Sequence, residues 1–495
     1  MRMNRNRRGF VVNENLNRRD FLRAVSLGAA SHVIHGCTSA ANQLISSAGN
    51  GKPNMVLFLA DDQGIDDVGC YGNNVIRTTN IDRLAEEGLR FKLAFTATAM
   101  CSTSRSALYT GLYPHRNGCH PNHSSIKPGV KTLPQYLKPL GYRVGLAGKT
   151  HIKPREQFPF EYMGSRPAQI EKFIVSSKAQ PFCLVVASNE PHSPHKQGGY
   201  EPQEVPVPPY KVDTAETRNQ FADYYTDIDL LDVEVGRVLG LLKKHNLEEN
   251  MLFVYASDHG YGIFAKWSCY EAGLHVPFIV RWPGKVEPGT VTDAMVSFVD
   301  VLPTFIEVAG GEPPKDIDGR SFLPVLLGRE NKHHDFIFGA HTNRGIISGK
   351  AYPIRSVRTG THKYIHNLNH QGVFQCVGTH GRDYTEINNG VWGSWKQKGK
   401  TDAFAAERVK KLQHRPAEEL YDLRKDPHEL NNLADNAAQQ KILASLRQKL
   451  DAWMKQQGDL GMEAEMAVPL HKSRATAQRK NLKKENKKNK SRADI

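Results

Sequence analysis

The sequence predicts an α/β protein built on a mostly parallel β-sheet with helices on its faces. Apolar runs of strand length recur through the first 340 residues, they show little alternation of apolar and polar residues, and amphipathic helical stretches separate them. Strands that are apolar throughout are buried on both faces, and their alternation with helices is typical of a parallel sheet. A chain of 495 residues also has room for a second domain.

Four of the apolar runs end in polar clusters. In chain order they are NMVLFLA before Asp61 and Asp62, RVGLAG before Lys149 and His151, PFCLVVA before His192, and MLFVYAS before Asp258 and His259. Polar loops after strands are ordinary, so one such cluster alone carries little information. Ligands of open α/β sheets bind beyond the carboxyl ends of the strands, and four clusters at that edge therefore predict a site there.

The helical stretches include NIDRLAEEGLR (residues 80–90) and YYTDIDLLDVEVGRVLGLLKKHN (residues 224–246). A further stretch, STSRSALYTG, is predicted to be capped by Ser102 or Thr103 and to end at Gly111. Cys101 would then lie at a helix N-terminus, where free amide donors favour an anion. Arg105, one turn into this helix, adds a fixed positive charge.

The candidate residues carry charges of both signs. The basic members are Arg105, Lys149, His151, His192 and Lys266. The acidic members, Asp61, Asp62 and Asp258, would repel one another unless a hard cation lies between them. The sequence therefore predicts a metal site beside an anion-binding site.

The net charge of +15 comes mainly from the two ends of the chain. Residues 1–23 hold seven arginines and two acidic residues, and residues 471–495 hold ten lysines or arginines and two acidic residues. The 447 residues between them therefore carry only +2. Nucleic-acid-binding domains have a basic face of their own, so no nucleic-acid partner is expected.

Both ends are predicted to lie outside the folded domains. Residues 1–50 contain NRRDFLRAVSLGAA, which resembles a twin-arginine export signal; a basic disordered arm is the alternative. Export would make the protein periplasmic, cell-surface or secreted, and Cys37 is a candidate for lipid attachment to a membrane. Seven cysteines is an odd number, so an exported chain has at least one that is lipidated, free or chemically used. Residues 466–495 are predicted to be a basic disordered tail.

Five blocks resemble those of the formylglycine-dependent sulfatases. In sequence order they are LFLADDQG, CSTSRSALYTGLYPHR, GLAGKTH, EPHSPH and SDHGYGIFAKWSCYEAG. Their order is the same as in the family, and the resemblance covers roughly residues 53–455. GKTHIKPREQFPFEY, YPIRSVRTGTHKYIHNLNH and ELYDLRKDPHELNNLADN are, within that family, similar to segments of N-sulfoglucosamine sulfohydrolases, also called heparan N-sulfatases.

The resemblance implies an alkaline-phosphatase-like α/β fold. The catalytic domain would span residues 51–345, and a smaller C-terminal α+β domain would span residues 346–465. This second domain would hold an antiparallel sheet and a closing helix, KILASLRQKLDAWMKQ.

The resemblance also implies roles for the candidate residues. Cys101 would be oxidised to formylglycine (3-oxoalanine) by a formylglycine-generating enzyme. Asp61, Asp62, Asp258 and His259 would bind a divalent metal, calcium in most relatives, with an oxygen of modified Cys101. Calcium prefers oxygen ligands, which His259 does not offer.

The remaining residues would act on the sulfate group. Arg105 and Lys149 would hold the formylglycine hydroxyls, and His151 would be the base for sulfate release. His192 and Lys266 would bind sulfate oxygens, with His192 protonating the leaving atom. The family pattern has Pro or Ala two residues after the cysteine, whereas this chain has Thr103, which puts efficient maturation in doubt.

Three functional hypotheses remain open from the sequence. The first is a sulfuric ester hydrolase acting on sulfated sugars, with a glycosaminoglycan N- or O-sulfate as the leading substrate. The second is a phosphodiesterase or phosphonate monoester hydrolase with a similar fold and nucleophile. The third is an exported protein that binds sulfated glycans without catalysis, in which Cys101 stays a thiol. The sequence does not identify substrate-binding residues.

Overall fold

The four predicted strands lie side by side in a computed structural model that describes residues 51–177, 179–343, 351–381 and 386–467. The strands of the chain are β1 Asn54–Ala60, β2 Leu89–Phe91, β3 Ala94–Phe95, β4 Arg143–Gly148, β5 Glu161–Met163, β6 Phe182–Ala187, β7 Met251–Ser257, β8 Phe278–Arg281, β9 Thr290–Thr292, β10 Val296–Ser297, β11 Ile337–His341, β12 Ile354–Arg358, β13 His362–Asn367 and β14 Glu418–Asp422. Eight of them form one sheet in the order β5-β4-β6-β1-β7-β8-β2-β9. The five from β5 to β7 are parallel, and β8 runs antiparallel to both of its neighbours. The prediction of a mostly parallel sheet is confirmed.

Helices connect the strands and cover the sheet. They are α1 Thr79–Glu86, α2 Cys101–Thr110, α3 Pro114–Asn117, α4 Leu133–Leu137, α5 Pro167–Ser176, α6 Ala215–Lys244, α7 Glu271–Leu274, α8 Val301–Val308, α9 Leu323–Leu326, α10 Val377–His380, α11 Gly390–Lys398, α12 Ala403–Gln413, α13 Gln440–Gln457 and α14 Met462–Ala467. Short 3-10 turns lie at Gly69–Tyr71, Lys138–Leu140, Arg155–Gln157, Phe298–Asp300 and Ala437–Gln439. Among the described residues, no helix has both the length and the apolar character needed to cross a membrane.

Side chains of β1 enter two separate cores. Met55, Leu57 and Leu59 belong to the core on one face of the sheet, while Val56 and Phe58 belong to the core on the other. Successive side chains of a strand point to opposite faces. A strand that lies between two cores must therefore be apolar at every position, and this explains the absence of alternation in the sequence.

The smaller sheet is antiparallel, in the order β11-β12-β13-β14. Leu443, Leu446, Leu450 and Trp453 of α13 pack in one core with residues of this sheet, as predicted for the closing helix. Strand β11 belongs to this sheet although it precedes the domain boundary predicted after residue 345. The boundary itself stays a prediction.

Two local predictions were wrong. The first predicted helix ends at Glu86, and Leu89 and Arg90 belong to β2, because Gly88 allows the chain to pass very close to the backbone of Val280. The N-cap of α2 is Met100, not Ser102 or Thr103. The predicted end of α2 is confirmed, since Gly111 adopts the left-handed conformation (φ 66°).

Several predictions concern segments outside the described residues. They are the export signal and linker of residues 1–50, with Cys37, and residues 468–495 of the basic tail. The six cysteines that the structure describes are free thiols.

Candidate active site

The polar clusters meet because their strands are neighbours. The register pairs Leu59 with Ala187, Gly148 with Ala187, and Ala60 with Ser257, so β4, β6, β1 and β7 end at one edge. Backbone bonds continue this alignment past the strands, from Lys149 N to Ala187 O and from Asp258 N to Ala60 O. The residues that follow the four strands therefore converge on one place.

Cys101 is the first residue of α2, and its side chain faces the end of the sheet. Its Sγ lies 3.2 Å from His259 Nε2 and 3.9 Å from Asp62 Oδ1. The residue is only 2% exposed. Burial disfavours its thiolate, but the positive charges of Lys266, His259 and Lys149 lower its pKa to about 7. These positive charges favour the thiolate, which is the nucleophilic form of cysteine.

Three buried carboxylates surround the thiol. Oxygen atoms of Asp61, Asp62 and Asp258 lie within 4.8 Å of one another. Asp62 is held in a left-handed conformation (φ 76°), and its N–H donates to Asp258 Oδ1 at 3.1 Å. Such a conformation is rare for a non-glycine residue and typical of functional sites.

These carboxylates fit a divalent cation. Burial, together with the charges of Asp258, Cys101 and Asp62, raises the pKa of Asp61 well above its ordinary range. Asp61 Oδ1 has no hydrogen-bond donor among the described residues. A hard cation bound by carboxylate oxygens would relieve both conditions.

His259 lies against the same carboxylates. Its Nε2 is 3.3 Å from Asp62 Oδ1, and its Nδ1 is 3.0 Å from the carbonyl of Gly260. Burial disfavours the charged ring, but Asp258, Asp62 and Cys101 raise its pKa to about 9. A histidine must be neutral to ligate a metal, so metal binding by His259 would require loss of this proton. Its ligand role stays a prediction.

Three basic side chains neutralise the carboxylates. Arg105, which is fully buried, contacts Asp258 Oδ2 through Nε at 3.0 Å and Nη2 at 2.9 Å. Lys149 Nζ contacts Asp61 Oδ2, and Lys266 Nζ lies 2.7 Å from Asp62 Oδ2. Three of the five predicted basic residues, Arg105, Lys149 and Lys266, are thus each paired with one of the predicted metal ligands.

The two histidines line the cavity above this cluster. His192 Nε2 lies 3.9 Å from Asp62 Oδ2, while its Nδ1 is 2.7 Å from the carbonyl of Ser193. A carbonyl only accepts hydrogen bonds, so Nδ1 carries a proton and Nε2 is the atom that faces the cavity. His151 is held in a left-handed conformation (φ 48°).

Sequence reasoning missed Asn122 and His123. His123 Nδ1 is 2.7 Å from His151 Nε2. The hydroxyl of Ser102 donates to Asn122 Oδ1 at 2.8 Å and accepts from His123 N at 2.6 Å. The residue next to Cys101 therefore fixes the loop that orients His151. No strand end or helix pattern marks Asn122 and His123, so the sequence offered no signal for them.

We expect the His151 ring to stay neutral at pH 5. Burial first, then the charges of Lys149 and Arg105, lower its pKa to about 3. A base with a lowered pKa is neutral above that value, whereas an ordinary histidine is protonated below about 6.5. NMR of ¹⁵N-histidine-labelled protein, with His151→Gln to assign the signal, measures this directly. A ring that titrates between pH 6 and 7 would contradict it.

The cavity over the cluster has a volume of about 860 Å³. Its floor includes Asp62, Cys101, Lys149, His151, His192 and Lys266. The C-terminal part of the chain supplies another wall, which includes Val377, Gly378, Asn389, Val391 and Trp392. This volume lies in the range of small-ligand sites, and both the floor residues and the C-terminal wall line it.

Two family models match the chain. The model described as Sulfatase matches residues 53–173 and 167–311, and the model described as N-sulphoglucosamine sulphohydrolase, C-terminal, matches residues 259–415. An "Ulvan-active sulfatase" of Formosa agariphila is 35% identical over 441 residues, covering 86% of this chain and 84% of the relative. The human N-sulphoglucosamine sulphohydrolase is 28% identical, covering 81% and 89% respectively.

A solved structure of a protein in complex with its substrate D-glucosamine-2-N,6-O-disulfate superposes with a TM-score of 0.65. It is 21% identical in sequence and covers 83% of this chain and 99% of its own. This likeness concerns the fold. The predicted alkaline-phosphatase-like fold is confirmed.

Proposed function

The chain belongs to the sulfatase family and is a sulfuric ester hydrolase, and on that premise we propose that it releases sulfate from sulfated saccharides through a formylglycine made from Cys101. The observation that carries the proposal is the position of Cys101. Its thiol lies among three carboxylates and four basic groups at the floor of a ligand-sized cavity. Few structural roles call for a reactive thiol there.

The charges of the floor suit a transferred sulfuryl group. Lys266 and His192 face the cavity, where they would neutralise sulfate oxygens as negative charge develops on the leaving atom. Arg105 is buried and paired with Asp258, so it would position that carboxylate, and it would also hold the hydroxyls of the modified residue. Lys149 would hold the oxygen atoms of the modified residue.

The two absent groups would be held by residues already described. Asp61, Asp62 and Asp258 would bind the divalent cation, Ca²⁺, with His259 and modified Cys101 as further ligands. When bound, the cation supplies positive charge that stabilises an oxyanion. Formylglycine supplies a hydrated aldehyde, which offers one hydroxyl for attack at sulfur and another for release of sulfate.

The two histidines would move protons at defined atoms. His192 presents Nε2 to the cavity while Nδ1–H is held by the Ser193 carbonyl, so the doubly protonated ring would donate its Nε2 proton to the leaving oxygen or nitrogen and keep the proton on Nδ1. His151 Nδ1 has no hydrogen-bond partner among the described residues, while Nε2 is engaged by His123. Because the ring is neutral, Nδ1 can accept the proton that must leave when sulfate is released.

Maturation would have to precede folding of α2. Cys101 is 2% exposed and the next four residues are 1% or less exposed, so an enzyme cannot reach the thiol in the folded chain. Thr103 is fully buried in α2. A formylglycine-generating enzyme would therefore read the segment while it is unfolded, where Thr103 replaces the usual Pro or Ala. Export through the predicted signal in residues 1–50 would follow.

The leading substrate is an N-sulfated glucosamine. The C-terminal family model and the human relative, named as N-sulphoglucosamine enzymes, support it. The relative active on ulvan supports the wider class of sulfated saccharides. The C-terminal wall of the cavity is where sugar specificity would arise, because the floor holds the groups assigned to the sulfate and the leaving atom.

Sulfate release from defined sulfated disaccharides tests this proposal. We expect N-sulfoglucosamine at the non-reducing end to be hydrolysed with a kcat/KM at least about tenfold above that of its 6-O-sulfated analogue, since even a difference of about 1–3 kcal/mol in transition-state binding gives roughly 10- to 200-fold discrimination. An aryl sulfate and an aryl phosphodiester serve as reference substrates. Exclusive O-sulfate release would overturn the N-sulfate assignment, and preference for the diester would favour the phosphodiesterase hypothesis. Binding without any sulfate release, with Cys101 still a thiol, would favour the glycan-binding hypothesis.

A further inference from the structure

A second cavity, of about 390 Å³, is lined by residues of the α/β part of the chain (between 65 and 275) and by residues of its C-terminal part (between 358 and 429). The α/β part lines it with Arg90, Lys92, Tyr210, Phe264, Tyr270 and Glu271, and the C-terminal part lines it with Arg358, Arg408, Lys411, Arg424, His428 and Glu429. None of these residues belongs to the site described above. The volume lies at the lower end of the range of small-ligand sites.

The cavity has more positive than negative charge. Six lysines and arginines line it, against Asp66, Glu271 and Glu429. Three of the six are paired with carboxylates outside this lining: Lys92 with Asp293, Arg408 with Glu407, and Arg424 with Asp422. The two glutamates already have partners: Lys363 Nζ lies 2.9 Å from Glu271 and 3.4 Å from Glu429. Among the described residues, neither Arg90 nor Lys411 forms an ion pair with a carboxylate; Arg90 lies over the ring of Tyr71, and Lys411 donates to the backbone carbonyl of Glu429.

A buried guanidinium in the wall has an unused donor. Arg358 is 4% exposed, and its Nη2 lies 3.2 Å from Glu271 Oε2. Its Nε has no hydrogen-bond partner among the described residues. A buried donor without a partner is costly, and this guanidinium places a positive charge in the wall of the cavity.

Aromatic residues form the rest of the wall. Phe264 and Tyr270 are each 4% exposed, and Tyr210 lies beside them. Cationic groups combined with flat apolar rings suit a molecule that has an acidic group and an apolar ring face. An anionic sugar has both.

The same loop lines both cavities. Phe264 faces the second cavity, whereas Lys266 and Trp267 line the active-site cavity. Phe264 and Trp267 both adopt left-handed conformations (φ 69° and 62°), which non-glycine residues hold only when packing enforces them. Packing against Phe264 therefore helps to set the position of Lys266.

We propose that the second cavity binds an anionic monosaccharide, separately from the active site, and that its occupancy stabilises the loop carrying Lys266. Arg90, Lys411 and Arg358 would contact the acidic group, and the aromatic wall would contact the sugar ring. The choice of a sugar rests on the proposed function, whereas the charge and the shared loop do not.

Binding of glucuronate tests the proposal, because this sugar carries a carboxylate and no sulfate. Titrations use the Cys101→Ala protein, so that catalysis plays no part. Arg90→Gln and Lys411→Gln should each weaken binding at least tenfold, while Lys153→Gln, on the wall of the active-site cavity, should not change it. Matching thermal unfolding midpoints would show that the variants are folded.

Other outcomes would overturn the inference. Equal affinity in all variants, or weakening by Lys153→Gln alone, would show that no second site binds the sugar. Inorganic sulfate binding as tightly as glucuronate would contradict recognition of a sugar and leave only an anion site.

In the wild type, saturating glucuronate should change the KM for a sulfated sugar at least threefold, and Arg90→Gln should abolish that change. An unchanged KM while glucuronate is bound would overturn the coupling, and absence of turnover would count against the proposed function but not against the binding site.

Discussion

Replacing Cys101 by alanine is expected to reduce sulfate release by at least about 10⁴-fold, because removal of an enzyme nucleophile typically costs that much or more. The side chain lies beside Asp62 and His259 at the cavity floor, and Lys266 acts on it electrostatically. The measurement is sulfate release under single-substrate conditions, together with the mass of the peptide that contains residue 101.

Cys70→Ala is the matched control for this experiment. Cys70 is a free thiol in the 3-10 turn Gly69–Tyr71, away from the site, so its replacement should leave the rate within about twofold of wild type. Retention of more than about 1% of the rate by Cys101→Ala would overturn the nucleophile assignment. Wild-type activity with residue 101 wholly a thiol would overturn formylglycine while leaving the site intact.

Removal of divalent cations is expected to reduce sulfate release by at least about 100-fold, and Ca²⁺ should restore it. The three carboxylates lie close together, and burial first, then the neighbouring negative charges, raises the pKa of Asp61, so a bound cation would stabilise the site. Ca²⁺ at 100 times its dissociation constant should add about 2.7 kcal/mol to the free energy of unfolding. Thermal unfolding of chelated and reloaded protein measures this.

Asp61→Asn should weaken Ca²⁺ binding while preserving the fold. Since the pKa of Asp61 is raised, the neutral carboxyl is favoured in the folded chain, and asparagine resembles it closely. For the same reason, bound Ca²⁺ must displace a proton at low pH, so its affinity should increase as the pH rises. Asp258→Asn is a poorer test because it would leave the buried Arg105 uncompensated.

His334→Gln is the control for cation binding. Asp300, His333 and His334 form another cluster with metal-ligand geometry, and Asp300 also accepts hydrogen bonds from the backbone of Ser297 and Arg320. The Ca²⁺ response should be unchanged in this variant. A response lost in His334→Gln but kept in Asp61→Asn would move the cation site away from Cys101.

The residues brought together at the floor could be identified from the sequence because each follows a strand. A buried parallel strand has an apolar sequence of limited length, and its carboxyl end has a known place in the fold. Asp61, Lys149, His192 and Asp258 could therefore be assigned to one edge without coordinates. Their individual roles still rest on the family resemblance.

Other features depend on contacts between distant segments. Ser102 looked like a helix cap, but its hydroxyl bonds to the loop of Asn122 and His123, and Met100 occupies the cap position. The helix predicted to reach Arg90 ends at Glu86 because β2 pairs with β8 and β9. Tertiary pairing outweighs local propensity where the two compete.

The sequence by itself determined the parallel strands, the helices between them and the edge where charged side chains gather, because apolar periodicity and strand length are local properties. Only the tertiary structure decided which groups touch: the pairing of Lys266 with Asp62, the support of His151 by His123, and the cationic cavity between the two parts of the chain. Those contacts join residues tens to hundreds of positions apart, and their energies depend on distance and burial, which no local pattern encodes.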